Sequence, residues 1–140
     1  MKQVIDNQTA NDMFNEFCES WNIDNDIDNM NTEDKDSFED LKSKIFTAIT
    51  DGRLIFNPEK SILIYTISND SEKEKGKVLN IRRPNGRGLR QIDRAKEGKN
   101  VERAYYLIAA MSGVDFQYVD ELAYNDIKPL MGIAQLFLAS

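Results

Sequence analysis

The sequence contains no histidine and only one cysteine, Cys18. Without histidine, the chain cannot form a Ser-His-Asp or Cys-His catalytic arrangement, and one sulfur is too few for a zinc site built from cysteine and histidine. A lone cysteine cannot form a disulfide within the chain, which suits a reducing compartment. These absences restrict any catalysis to carboxylate, lysine and tyrosine groups, and we expect neither a metal nor a cofactor.

Long apolar runs are also missing. No stretch approaches the roughly 18 apolar residues of a membrane span. The first residues, MKQVIDNQTANDMF, lack the apolar core of a signal peptide. A hydrophobic content of 41% and a charged content of 30% are typical of a soluble globular chain, and 140 residues suffice for one domain. We therefore expect a single cytoplasmic domain over residues 1–140.

Charge is distributed unevenly along the chain, although the total is −6. Residues 1–50 carry twelve acidic and four basic side chains, whereas residues 73–103 carry eleven basic and four acidic ones. This segregation predicts a charge-complementary contact, either within the chain or between copies. One hypothesis is that an acidic pair of N-terminal helices folds over the basic segment.

Apolar spacing predicts two helices in the acidic part. The first is expected to begin at a Thr9 cap and to end near Trp21, and the second to run from about Lys35 to Thr50, with Gly52 at its carboxyl end. The segment between them, NIDNDIDNMNTEDKD, has alternating carboxylates like a calcium-binding loop. It lacks the glycine turn such a loop requires, so we interpret it as solvated.

The pattern then changes to strands. The segment RLIFNPEKSILIYTI predicts two strands joined by a turn at residues 57–60, and KVLNIRR predicts a third strand that Pro84 ends. Helical spacing returns after Pro84. Helices are predicted over residues 87–97, from an Asn100 cap to Gly113, from an Asp115 cap, and over residues 125–139, with Pro129 in the first turn of the last helix or kinking it.

These elements predict a mostly helical α+β fold. A short antiparallel β-meander at about residues 53–83 would be flanked by two N-terminal helices and a C-terminal helical bundle.

The segment NIRRPNGRGLRQIDRA, residues 80–95, holds five arginines in an otherwise acidic chain. It lacks the lysine and the Ser/Thr of a phosphate-binding loop, so its glycines are better explained as turn residues. Arginines could neutralise nucleic-acid phosphates, but the low overall pI of about 4.7 and the absence of aromatic residues between Tyr65 and Tyr105 disfavour nucleic acid. The remaining alternatives are a solvated basic face and a protein-docking surface in which Arg82 or Arg83 pairs with carboxylates.

An enzyme would have to use the remaining groups. Asp93 lies between Arg90 and Arg94, whose positive charges would make it a poor base. Asp120 and Glu121 are adjacent and point in different directions on a helix. Because no nucleophile has a partner at a diagnostic spacing, we expect a non-catalytic protein.

The order of features over roughly residues 53–140 resembles that of the tail assembly chaperones of Mu-like and other contractile-tailed phages. In that family a strand ends in an Arg-Pro step and leads into a helix, a second helix ends in glycine, and a final helix ends in Phe-Leu. The matching positions here are Arg83, Pro84, Leu89, Leu107, Ile108, Ala109, Gly113, Val119, Leu122, Asp126, Phe137 and Leu138. Residues 1–50 lie outside the matched part and are interpreted as an acidic helical extension.

The resemblance implies a phage or prophage protein of the host cytoplasm that binds the tape-measure protein and keeps it soluble during tail morphogenesis. The tail tube protein is a second implied partner, and homo-oligomerisation is left open. Neither a membrane nor nucleic acid is the expected partner. Two alternative functions remain: a nucleic-acid-binding phage protein that uses the basic face at residues 82–94, and a structural tail or neck component retained in the virion.

Candidate partner-binding residues follow from the arginines and from the apolar helices. A chaperone for an amphipathic helix needs an apolar groove with a charged rim, and methionine and tyrosine make adaptable contacts. The candidates are Arg82, Arg83, Arg87, Arg90, Arg94, Tyr105, Tyr106, Met111 and Met131. Leu107, Ile108, Leu136 and Phe137 are expected to belong to the core.

Overall fold

Two helices form the acidic part of the chain, in a computed structural model that describes residues 4–95 and 99–139. Helix α1 spans Asn7–Ser20 and α2 spans Thr32–Thr50, with a 3₁₀ turn at Ile27–Asn29 between them. Both helices were predicted, but α1 begins before Thr9. The Asp6 carboxylate accepts a hydrogen bond from the Thr9 backbone N–H at 2.7 Å, so Asp6 is the capping residue.

Helix α2 also begins earlier than predicted, because Asn31 accepts a hydrogen bond from the Asp34 N–H at 2.8 Å and caps it. Residues 31–37 are all exposed, and Phe38 is the first buried residue of the helix. The amino-terminal end of α2 therefore projects into solvent. At the other end, Gly52 has φ of +80°, as expected for a residue just after a helix.

The predicted β-meander is confirmed. Strands β1 (Leu54–Asn57), β2 (Ile62–Thr66) and β3 (Val78–Arg82) form an antiparallel sheet in the order β1-β2-β3. Side chains alternate in direction, so one face packs on the core while Ile55 and Val78 are exposed on the other. The Trp21 Nε1–H donates to the Ser61 carbonyl at 3.0 Å and ties the β1–β2 turn to the end of α1.

Four helices follow the sheet in the described part of the chain. They are α3 (Gly86–Arg90), α4 (Asn100–Ser112), α5 (Phe116–Asp120) and α6 (Tyr124–Leu138), with a 3₁₀ turn at Gln91–Arg94 directly after α3. The mostly helical α+β prediction is therefore correct.

The continuous helix predicted over residues 87–97 is wrong in its described part, because a 3₁₀ turn replaces the α-helix at Gln91, and residues 96 and 97 lie outside the described residues. Asn100 was expected to cap α4 but is its first helical residue, after Lys99. The carboxyl end of α4 agrees with the prediction, since Gly113 adopts a left-handed φ of +70°.

Pro129 is the sixth residue of α6 and so lies beyond the first turn. Proline has no backbone N–H, so the Asn125 carbonyl four residues earlier loses its helical partner. The Arg53 Nη1–H supplies a donor to that carbonyl at 3.3 Å. The guanidinium therefore compensates for the proline inside the helix.

Both halves of the chain share one core. Phe14, Phe17 and Trp21 of the acidic part are buried, and the rings of Phe17 and Trp21 pack edge-to-face with centroids 4.9 Å apart. Residues of the sheet, α4 and α6 belong to the same buried cluster. Residues 4–50 thus contribute to the core.

The acidic helices do not fold over the basic segment as hypothesised. Helix α2 packs most extensively against α6, and Ile45 of α2 lies beside Gly132 of α6. None of the ion pairs among the described residues connects residues 4–50 with residues 73–95. The apolar stripe of α2 determines its position, because burial of that stripe outweighs attraction between exposed charges.

Candidate functional site

A groove runs between the basic segment after β3 and the second half of α4. It consists of a cavity of about 430 Å³ and a neighbouring cavity of about 220 Å³. The two share a wall formed by Asn85, Gly88, Ala110 and Gly113. We call this surface the basic groove.

The sequence of the β3–α3 connection shapes the basic groove. Pro84 follows the end of β3, and the Asn85 side chain caps α3 by accepting from the Gly88 N–H at 2.9 Å. A Cβ on Gly88 would lie 3.4 Å from the Pro84 Cβ and 3.7 Å from the Ala110 Cβ. A Cβ at this position would therefore make ordinary van der Waals contacts and would fill part of the space between α3 and α4.

Aromatic side chains line the larger cavity. The rings of Tyr106 and Phe116 have centroids 4.5 Å apart, and both residues are half-buried. Helix α5 positions Phe116 because the Asp115 carboxylate caps that helix, accepting from the Tyr118 N–H at 2.9 Å. The cavity therefore combines an apolar aromatic wall with the exposed arginines Arg87 and Arg94.

Six of the nine candidate residues line the basic groove. Arg87, Arg94 and Tyr106 line the larger cavity, and Arg82, Arg83 and Met111 line the smaller one.

The other three candidates lie elsewhere. Arg90 is exposed on α3, outside both cavities. Tyr105 and Met131 are half-buried and pack against the core. Met111 is only 3% exposed, so it contributes to the wall of the groove and also to the core. Leu107, Ile108 and Leu136 are buried as predicted, while Phe137 is half-buried.

The arginines of the basic groove have no acidic partner among the described residues, where no carboxylate oxygen lies within 4.0 Å of Arg82, Arg83, Arg87 or Arg94. Neither Arg82 nor Arg83 pairs with a carboxylate among the described residues, and their pairing with a carboxylate of another protein stays a prediction. Arg83 instead lies over the Phe137 ring, 5.9 Å from its centroid, which is the geometry of a cation–π contact. The positive charge of the groove remains available to an external partner.

A second polar site, at Asp126, was missed by reasoning from sequence. Asp126 is fully buried and accepts four hydrogen bonds. The donors are the Tyr65 hydroxyl at 2.6 Å, the Ser68 N–H at 2.8 Å, the Ser68 hydroxyl at 2.9 Å and the Ser71 hydroxyl at 2.6 Å. Arg53 Nη1 lies 3.7 Å away, and Arg53 also pairs with Asp51 at 3.2 Å.

These contacts determine the protonation states at this site. Burial raises the pKa of Asp126, but the hydrogen bonds from Ser71, Tyr65 and Ser68 together outweigh it and hold the pKa below its ordinary value of 3.8. Burial, followed by the hydrogen bond to Asp126 and the charge of that carboxylate, raises the pKa of Tyr65 above its usual range. Asp126 is therefore a charged acceptor and Tyr65 a protonated donor.

The Asp126 site joins distant parts of the chain. It links the residues after α2, strand β2, the β2–β3 loop and the first turn of α6. The Ser71 hydroxyl also accepts from the Ala123 N–H at 2.8 Å and so holds the start of α6. Because the lone pairs of Asp126 are directed to donors within the fold, its observed role is to anchor structure.

An acidic cavity of about 450 Å³ adjoins Ser71 and includes Glu72, Glu74, Tyr118 and Glu121. Burial, and then the charge of Glu74, raises the pKa of Tyr118 to about 12. The described residues contain no cluster of three or more histidine, cysteine, aspartate or glutamate side chains suited to a metal ion. Cys18 is buried, which raises the pKa of its thiol to about 12.

Within the described part of the chain, no helix has the length and apolar character needed to cross a membrane. Comparison of the chain with models of known protein families, with curated proteins and with solved structures finds no match.

Proposed function

We propose that this chain is a non-catalytic tail assembly chaperone that binds the tape-measure protein and keeps it soluble before the tail tube forms around it. The observation that carries the proposal is the basic groove, in which arginines without a carboxylate partner among the described residues lie beside the aromatic pair Tyr106 and Phe116. Four positions of the chaperone resemblance, Arg83, Pro84, Ala109 and Gly113, line this groove.

The groove suits an amphipathic helical client. A helix that exposes an apolar stripe aggregates unless that stripe is covered, and a groove with an apolar wall and a charged rim can cover it. Tyr106, Phe116 and Val114 supply the apolar contacts, and Arg87 and Arg94 are placed to pair with carboxylates beside the stripe of the client. Charge pairing at the rim would also speed association and select clients with an acidic flank.

A non-catalytic role is consistent with the polar groups of the chain. Asp126, the one fully buried carboxylate among the described residues, is engaged by four donors and an arginine. A general base needs a free lone pair within reach of a substrate proton, and this carboxylate offers none outside the fold.

Co-expression with the tape-measure protein tests the proposal. We expect wild-type chain to raise the soluble fraction of the tape-measure protein and to co-purify with it, and we expect Arg87→Glu/Arg94→Glu to do neither. Arg90→Glu/Arg103→Glu is the matched control, because it makes the same charge change at exposed residues outside the groove. Equal solubility of the tape-measure protein with and without the wild-type chain would refute the proposal.

Nucleic-acid binding is the second candidate function, favoured by the exposed arginines of the groove, which have no carboxylate partner among the described residues. Binding through phosphates weakens steeply as salt rises. A gel shift at low salt separates the two functions: the absence of retarded DNA or RNA would exclude the second candidate. Mass spectrometry of purified virions separates a chaperone from a retained tail or neck component, because only the latter is present in stoichiometric amount.

A further inference from the structure

The projecting amino-terminal end of α2 carries a net negative charge. We call residues 31–37 the acidic tip; all seven are exposed, and they include the acidic residues Glu33, Asp34 and Asp36 and one basic residue, Lys35. Glu33 and Asp36 are three residues apart on a helix, so they lie on the same face. None of the carboxylates of the tip has a cationic partner within 4.0 Å among the described residues.

The acidic tip and the basic groove are thus two surfaces of opposite charge in one chain. Neither has an oppositely charged partner among the described residues. They belong to segments that differ strongly in charge, with twelve acidic against four basic residues in 1–50 and eleven basic against four acidic residues in 73–103. The core fixes α2 against α6 and not against α3, so the two surfaces do not pair within one molecule. They remain free to pair between molecules.

We propose that the acidic tip of one copy docks into the basic groove of a second copy, with Glu33 and Asp36 facing Arg87 and Arg94. The contact is head-to-tail, since each copy contributes its acidic tip to one contact and its basic groove to another. Contacts of this kind build rings or open chains. It consists mainly of charge pairing, because the tip contains no apolar residue. The association is therefore weak and sensitive to salt.

This inference goes beyond the chaperone function, since it concerns what occupies the basic groove when no tape-measure protein is present. A copy bound in this way would shield the arginines and the aromatic wall until a client displaces it. Self-association and client binding can be measured separately, so either can fail while the other holds.

Sedimentation velocity of the full chain tests the contact. At about 0.01 M salt, where charges act over about 30 Å, the weight-average sedimentation coefficient should rise with protein concentration. At about 1 M salt, where that range is about 3 Å, it should return to the monomer value. A wild-type chain that stays monomeric at low salt overturns the proposal.

Charge reversal identifies the surfaces. Arg87→Glu/Arg94→Glu and Glu33→Lys/Asp36→Lys should each be monomeric at low salt, and an equimolar mixture should associate again, because it restores one native tip and one native groove. A mixture that stays monomeric, or a single variant that associates like wild type, overturns the proposal.

Two controls exclude an effect of net charge alone. Arg90→Glu/Arg103→Glu and Glu16→Lys/Glu19→Lys change the charge by the same amounts at exposed residues outside the groove and the tip. Both should associate as wild type does, and loss of association in both would overturn the proposal. If a reversal prevents folding, Arg87→Gln/Arg94→Gln replaces it, with the same expected loss of association.

Discussion

At the scale of single residues, Asp126 is the most consequential polar group of the fold. The Asp126→Asn variant keeps the shape of the side chain but removes its charge, and its amide N–H₂ would face donors and not acceptors. We expect the free energy of unfolding to fall by about 3 kcal/mol, the typical effect of breaking a buried, hydrogen-bonded charge pair. Urea denaturation measures this. The control Asp93→Asn, at an exposed position, should change stability by less than about 0.5 kcal/mol.

Acid should reduce the difference in the free energy of unfolding between wild type and the Asp126→Asn variant. The pKa of Asp126 is lower in the folded than in the unfolded chain, so its stabilising contribution is complete above the unfolded value of about 3.9. The contribution is lost as the pH falls through the folded pKa, and the variant has no such group to lose. Urea curves for both proteins at about pH 7 and about pH 3 should therefore converge at the lower pH. A constant difference would mean that the charge of Asp126 does not stabilise the fold.

The Asp126 site also illustrates what could not be foreseen from sequence. Tyr65, Ser68, Ser71 and Asp126 are ordinary polar residues in loops, strand and helix, and no spacing relates them. Only the tertiary fold, which places the first turn of α6 beside β2 and the β2–β3 loop, brings them within hydrogen-bond distance. Asp126 appeared in the sequence only as one position of the chaperone resemblance.

At the scale of elements, the closest approach between α2 and α6 depends on Gly132. A Cβ at this position would lie 3.0 Å from Ile45 Cγ1 and 3.2 Å from the Leu41 carbonyl oxygen. Alanine favours a helix by about 1 kcal/mol over glycine, but forcing a methyl into a packed contact costs about 1–3 kcal/mol. We expect Gly132→Ala to lower the melting temperature.

Gly86→Ala is the matched control for Gly132→Ala. A Cβ at Gly86 would meet no atom within 4 Å, and Gly86 has no left-handed φ. This variant should keep or slightly raise the melting temperature, because alanine lowers the entropy of the unfolded chain. If both variants stabilise the protein equally, the two helices can separate without cost at their crossing.

The proline in α6 predicts an energetic coupling with Arg53. Pro129→Ala would give the Asn125 carbonyl a helical donor, which matters more when Arg53 is absent. In a double-mutant cycle measured by urea denaturation, Pro129→Ala should be more favourable in an Arg53→Met background than in wild type, by about 1 kcal/mol. Additive effects would show that the Arg53 bond to Asn125 contributes nothing.

Local signals predicted some element boundaries and failed at others. Gly113 and Asp115 mark boundaries through local effects, the left-handed φ of Gly113 and the hydrogen bond from the Tyr118 N–H to the Asp115 carboxylate, and the structure agrees at both. Thr9 was a wrong cap because Asp6 lies three residues before it and accepts a hydrogen bond from its N–H. Asn100 was also a wrong cap, since it is the first helical residue of α4, which no side chain caps. The 3₁₀ turn after α3 left no signal in the sequence, since Ile92 keeps the apolar spacing of an α-helix.

At the scale of the whole molecule, the fold class could be predicted from the sequence, because the spacing of apolar residues reflects which side chains are buried. The segregation of charge could be read from the composition of each segment. The position of the acidic helices could not be predicted. The hypothesis relied on the attraction between opposite charges, whereas the apolar stripes of α1 and α2 pack into the shared core. This position of α1 and α2 leaves the arginines of the basic groove without a carboxylate partner among the described residues.

The groove itself could be anticipated only in part. The arginines of residues 82–94 were recognisable as a candidate surface, and six of the nine candidate residues line the groove. Phe116 and Gly88 were not identified from the sequence as residues of the groove, because they line it only where α3 and α5 approach α4.

Backbone NMR of the labelled chain, titrated with a helical segment of the tape-measure protein, tests the central claim most directly. We predict that the largest chemical-shift changes occur at Gly88, Ala110 and Gly113, which form the shared wall of the basic groove, and that Arg87→Glu/Arg94→Glu abolishes them. The largest changes at Ser71 and Ala123, beside the acidic cavity, or no change at a saturating amount of the segment, would contradict the account.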